Sequence, residues 1–289
     1  MTNETIALAN DRIGVEIAAL GAELIRLRDQ GGRDFLWSGD PQYWNGRAPL
    51  LFPMVGRALG DHIKIGGKHY PLPQHGFARR SRFETVSLSP TRAVQRLEDS
   101  EATRAGFPYR FRLDIAHELR GATLAVSATV TNPGDVALPV SFGFHPAFRW
   151  PLPDATGPHE IMFEKDETAP VRRLDDGLIA PRDVPSPVAG RRLKLDHGLF
   201  AEGALIFDRL ASRRLVYGAS NGPSLAFSFP DLPHLALWTK PDAPFLCIEP
   251  WQGHAAPAGF DGEYAERPGV VAIAPGAARV FAMEIEVRG

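Results

Sequence analysis

The sequence predicts an all-β protein of sandwich or barrel-like architecture, and three observations carry that expectation. Its 28 glycines and 26 prolines are spread along 289 residues. They cut the chain into pieces too short for long helices but suited to strands and turns. No window sustains a 3.6-residue apolar period over three turns, whereas two-residue alternation recurs throughout. Turn sequences punctuate the alternating runs at close spacing, as in sheets that fold back on themselves.

The elements follow in order. Leu124, Val126, Ala128 and Val130 alternate with Ala125, Ser127, Thr129 and Thr131. Asn132-Pro133-Gly134-Asp135 then supplies a turn before a second extended run, which predicts a hairpin. The segment Arg213–Pro230 reads the same way, with Asn221-Gly222 as its turn, and Gly269–Val287 reads as two apolar strands around Pro275-Gly276. The proline-rich stretch Ala180–Gly190 is short and flanked by the same strand pattern. It is read as a surface loop inside one domain spanning residues 1–289.

Charge and cysteine usage exclude several classes. With 32 basic and 34 acidic side chains, there is no electrostatic footprint for nucleic acid and no polybasic segment for anionic lipid. Cys247 is alone, so no internal disulfide is possible. The N-terminal "MTNETIALANDRIGVEI" lacks the charged and apolar regions of a secretory signal. The longest apolar run, "APLLFPMV", is too short for a membrane span. A soluble cytoplasmic protein, monomer or homodimer, is expected.

Several chemistries meet a simpler reading. Gly218-Ala219-Ser220-Asn221-Gly222 matches the spacing of a serine-hydrolase elbow. That elbow needs a helix behind the serine, and Pro223 with "SLAFSF" predicts a strand there. His62, His69 and His75 lie close in sequence but without the acid–histidine spacing of a metal site, so no catalytic metal is expected. Cys247 has apolar flanks and no basic neighbour to activate it.

Two strands are more informative. In "FLCIEPWQG" the two-residue period places Phe245, Cys247, Glu249 and Trp251 on one face, opposite Leu246 and Ile248. Glu249 is then either salt-bridged in the core or the floor of an aromatic-walled pocket, where partial burial would raise its pKa into the range of a general base. In "VSFGFHPAFRW", Ser141, Gly143 and His145 share a face. His145 is either a structural histidine at a strand end or a residue beside space for a ligand. "LPQHGFARR" (Leu72–Arg80) adds a third polar cluster.

Together, "NGRAPLLFPMVGR", "LPQHGFARR", "SFGFHPAF", "ALIFDRL" and "CIEPWQG" resemble, in order and over most of the chain, the aldose 1-epimerase (galactose mutarotase-like) family. The resemblance implies a large antiparallel β-sandwich with few short helices, a sugar cleft across one sheet, and cofactor-free interconversion of the α and β anomers of an aldose. By the same resemblance Glu249 is the general base, which takes the anomeric hydroxyl proton, and His145 the general acid at the ring oxygen. His75 would lie near the ring, and Asp208 would grip sugar hydroxyls.

With "QHGFAR" the chain also resembles the branch that includes hexose-6-phosphate mutarotases, and this resemblance implies substrate contacts for Gln74, Arg79 and Arg47, with Arg57 competing with Arg47. A guanidinium suits phosphate because its donors are planar and bidentate. Phe52, Trp238 and Trp251 are read as core residues or as apolar surface for the sugar, and Arg80 as a solvated charge. Two other readings stay open. One is a glycosidase that uses Asp208 and Glu249; the other is a non-catalytic sugar-binding protein.

Overall fold

The computed structural model describes residues 4–289; the first three residues of the N-terminal stretch read above lie outside it. The alternation of the Arg112–Arg120 and Thr123–Thr131 strands is reproduced residue by residue in their burial. Leu113, Ile115, Leu124, Val126 and Val130 point into the main core. These strands lie in a nine-stranded antiparallel sheet. Its order is Arg192–Lys194, Thr156–Phe163, Arg214–Asn221, Ser224–Ser228, Ala278–Arg288, Thr123–Thr131, Arg112–Arg120, Arg92–Glu98 and Glu84–Ser89.

A second sheet is ordered Leu205–Phe207, His234–Trp238, Phe245–Gln252, Phe142–Phe144 and Leu50–Leu51, with Ala147–Arg149 also paired to Phe245–Gln252. The two sheets share the main core. Phe142 stacks on Phe281 with centroids 5.3 Å apart, and Phe148 meets Phe227 edge-on at 5.1 Å. Every residue of Phe245–Gln252 is buried. Leu246 and Ile248 enter the main core, while Phe245, Cys247 and Trp251 belong to clusters on the opposite face. The face assignment read from the sequence therefore holds. Among the described residues the only α-helix is the six-residue Glu101–Gly106, whose N-terminus is closed by a capping box between Ser100 and Thr103.

One expected hairpin does not form. Arg214–Asn221 and Ser224–Ser228 do pair across a turn containing Gly222 at φ +106°. Thr123–Thr131, by contrast, pairs with Arg112–Arg120 and Ala278–Arg288, while Leu138–Val140 pairs with Val271–Ile273. The reason lies at Asn132, which is buried. Its amide donates to the carbonyls of Val136 and Ile273, and its backbone bonds to Ala277 and Gly276. Those bonds make a corner at which two neighbouring connections leave the large sheet side by side.

The Ala180–Gly190 stretch is irregular but anchored, since Val184 and Val171 exchange backbone hydrogen bonds at 3.0 and 2.8 Å. Among the described residues no helix is long and apolar enough to cross a membrane.

Candidate active site

Strand register brings the two central residues together. Gly143 lies opposite Trp251 and Ala147 opposite Cys247, so the intervening His145 faces Glu249 across the strands. Pro146 interrupts the regular pairing there, yet its carbonyl still accepts from the Ile248 N–H at 3.1 Å. On the far side of the Glu249 strand the partner is Ala236, too small to fill the space above the carboxylate. His145 Nε2 lies 3.2 Å from Glu249 Oε2. The approach is off the line of a hydrogen bond, and Glu249 Oε2 and His145 Nδ1 are both buried without a hydrogen-bond partner.

This pair forms the floor of a cavity of about 410 Å³, within the size range of small-molecule sites. Aromatic rings wall it. Trp44 lies on His145 with centroids 5.1 Å apart and planes tilted 30°, and the Trp238 edge meets His145 at 5.9 Å. Trp251 completes the wall, and Gly143 makes room for it: a β-carbon at 143 would sit 2.5 Å from Trp251 Cδ1.

The segment Leu72–Arg80 forms the other side, docked on the chain after Leu51. Phe52 O accepts from the N–H groups of Phe77 and Ala78, and His75 N donates to Gly56 O. Gly76, at φ +68°, lets this backbone approach, because a β-carbon there would lie 2.2 Å from Phe52 O. His75 Nδ1 accepts from the Gly56 N–H at 3.1 Å, so the proton of the neutral ring is on Nε2. The His75 and His145 rings meet edge-on at 5.7 Å.

Burial dominates the electrostatics. It raises Glu249 well above the usual carboxylate range, against the opposing pull of the Arg79 charge. It lowers His145 to about 3, with Arg79 adding to the effect. His75 is lowered well below its ordinary value, first by burial and then by the charges of His145 and the nearby arginines. In each case the charged form is disfavoured. Both shifts favour the uncharged members of the pair, a protonated carboxyl and a neutral imidazole.

Gln74, His75, Arg79, His145, Trp238, Glu249 and Trp251 are thus gathered around one cavity. Arg80, expected to be a simply solvated charge, is exposed but also lines the rim and donates to Gly76 O at 3.0 Å. Phe52 is packed in the main core against Phe111 and Phe77. Three other residues lie outside the lining. Arg47 donates Nε to Ser38 O at 2.7 Å. Arg57 pairs with Asp61 at 2.9 Å and Asp176 at 3.0 Å. Asp208, at the end of the Leu205–Phe207 strand, faces Arg209 at 3.6 Å and Arg172 at 3.9 Å.

Trp44 was not anticipated from the sequence. Its signal was Gly46, two residues on, where a β-carbon would lie 2.5 Å from the indole.

The geometry has close counterparts. A family model described as aldose 1-epimerase matches residues 4–264. The chain belongs to the aldose 1-epimerase family. Within this family, protein LacX (plasmid) of Lactococcus lactis subsp. lactis is 30% identical over 262 residues, covering 86% of this chain and 88% of that protein.

Two solved structures superpose nearly end to end. A galactose mutarotase-like protein from Lactobacillus casei ATCC 334 gives a TM-score of 0.93 at 28% identity, covering 99% of this chain and 100% of that one. A galactose mutarotase related enzyme from Lactobacillus acidophilus gives 0.92 at 26% identity, covering 99% and 98%. At the level of the aldose 1-epimerase family, the chain is a carbohydrate isomerase with a galactose mutarotase-like β-fold.

Proposed function

We propose that residues 1–289 form a single-domain mutarotase that interconverts the α and β anomers of a hexose or hexose 6-phosphate, with Glu249 as base and His145 as acid. The observation that carries this reading is the buried 3.2 Å approach of His145 Nε2 to Glu249 Oε2 on the cavity floor. Ring opening requires one proton to leave the O1 hydroxyl and one to reach the ring oxygen as the C1–O5 bond breaks. The Glu249 carboxylate accepts the first and the His145 imidazolium supplies the second. Rotation about C1–C2 presents the other face of the aldehyde, and the same two transfers in reverse close the ring. Each transfer contributes on the order of 10²–10⁴ in rate.

The proton count closes within the pair. A carboxylate with an imidazolium becomes a carboxylic acid with a neutral imidazole on ring opening. The second form is the one that burial favours for these residues. It is the protonation state that complements the open-chain aldehyde, so no proton need be exchanged with solvent during turnover.

Arg79 supports a phosphorylated substrate. Its guanidinium lines the cavity within reach of the Glu23 and Glu249 charges, and it is suited to bidentate phosphate binding. A glycosidase is less well supported. It needs two carboxyls flanking one bond, and Glu249 is the sole carboxylate among the residues that line this cavity.

Two-dimensional exchange NMR on a panel of free and 6-phosphorylated hexoses tests the reading. Enhanced anomer exchange, lost in Glu249→Gln and His145→Ala, is expected. Exchange left untouched in both variants would remove the assignment, and tight sugar binding without exchange would indicate a non-catalytic protein.

A further inference from the structure

We propose that the floor of this cavity is also a site for a thiophilic divalent cation, Zn²⁺, held by His145, Cys247 and Glu249, and that the bound ion blocks the sugar reaction. The metal site stands on geometry alone; only the blocking rests on the mutarotase reading.

Cys247 is buried and plays no part in the proton transfers described above. It nevertheless shares its strand face with Glu249 two residues on, and it lies opposite Ala147, two positions along the register from His145. One ligand atom from each of the three side chains falls within 4.8 Å of the other two. The His145 Nε2 to Glu249 Oε2 separation is already 3.2 Å. Two ligands at tetrahedral zinc, with bonds near ~2.0–2.2 Å, stand about 3.3 Å apart. Closing the sulfur onto the same centre takes side-chain adjustment of about an ångström.

Glu249 Oε2 is buried without a hydrogen-bond partner, so coordination would satisfy an acceptor that the protein leaves bare. A thiolate, a carboxylate and a neutral imidazole balance the charge of one Zn²⁺, which makes the occupied site neutral in a buried setting. Coordination expels the thiol proton. Three protein ligands leave a fourth position for water or a sugar hydroxyl. With both proton-carrying groups bound to metal, neither can exchange a proton with the sugar.

The test uses chelator-treated full-length protein and Zn²⁺ or Co²⁺ alone, followed by anomer exchange with and without Zn²⁺. Calorimetry is expected to show saturable binding of one Zn²⁺ per chain, and Co²⁺ a thiolate charge-transfer absorption in the near ultraviolet. Cys247→Ala and Cys247→Ser should each weaken zinc binding at least about tenfold and abolish the cobalt band. Each variant's exchange with zinc is compared with its own rate without zinc, after its folding has been checked by thermal melting.

Absence of saturable binding, or binding unchanged in both variants, overturns the site. The latter result would place the ion elsewhere, for example at the exposed His62–His69 pair. Binding that leaves sugar exchange unaffected overturns the blocking. If no sugar shows exchange, the cobalt band still decides the metal site independently.

Discussion

Trp251 lies across Gly143 on the neighbouring strand, so close that a single added carbon would meet its indole at 2.5 Å. The same β-carbon would lie 3.2 Å from Leu51 Cδ1 on the other side, so the added methyl is wedged between two side chains. Gly143→Ala is therefore expected to destabilise the fold by about 1–3 kcal/mol and to raise KM by shifting one wall of the cavity. Urea denaturation and exchange kinetics read the two effects separately.

Glu249→Gln keeps the size of the side chain and removes its ability to take a proton. We expect anomer exchange to fall by about 10²–10⁴, with the fold intact. Because burial raises the folded pKa of Glu249, the wild-type carboxyl contributes stability below its unfolded value near ~4.3 and loses it as pH rises through the folded value. The Gln variant has no such loss. Its melting temperature should therefore gain on the wild type as pH rises; a constant difference would mean that Glu249 ionises freely in the folded protein.

Acid should unfold the protein partly through His117. This side chain is buried on the inward face of the Arg112–Arg120 strand, its Nδ1 has no hydrogen-bond partner, and burial lowers it to about 4. A lowered folded pKa contributes stability that is complete above the unfolded value near ~6.5 and disappears as pH falls through the folded one. The gap corresponds to about 3 kcal/mol. His117→Leu is expected to flatten the decline of stability between pH ~6.5 and 4, as followed by denaturation at each pH. A slope equal to that of the wild type would count against it.

Arg79→Gln separates the substrate classes. If a phosphate occupies that side of the cavity, kcat/KM for the phosphorylated sugar should drop by about 10- to 100-fold, the range for a charge-assisted hydrogen bond. The free sugar should change little. Equal losses on both would place Arg79 on a sugar hydroxyl.

Much of this site was legible in the strand period. Alternation put Glu249, Cys247 and Trp251 on one face and kept Leu246 and Ile248 on the other, because a buried strand next to a core has no other way to place its side chains. It also placed His145 and Gly143 together. The turn at Asn132–Asp135 was visible, but its partners were not, since a turn sequence does not say whether the next strand stays in the same sheet. The buried Asn132 amide decided that by bonding to a connection 141 residues away.

The sequence by itself determined the strand-rich class, the faces of the central strands and the residues able to move a proton. Tertiary structure decided which of them meet. Register across the Phe142–Arg149 and Phe245–Gln252 segments set His145 against Glu249, and the docking of Leu72–Arg80 on Phe52 and Gly56 brought His75 and Arg79 to the cavity. Arg47 and Arg57 carry the same charge as Arg79, yet they face a carbonyl and two carboxylates. Residue type states what a guanidinium can bind, but loop packing, which depends on contacts far apart in the chain, decides what it is given.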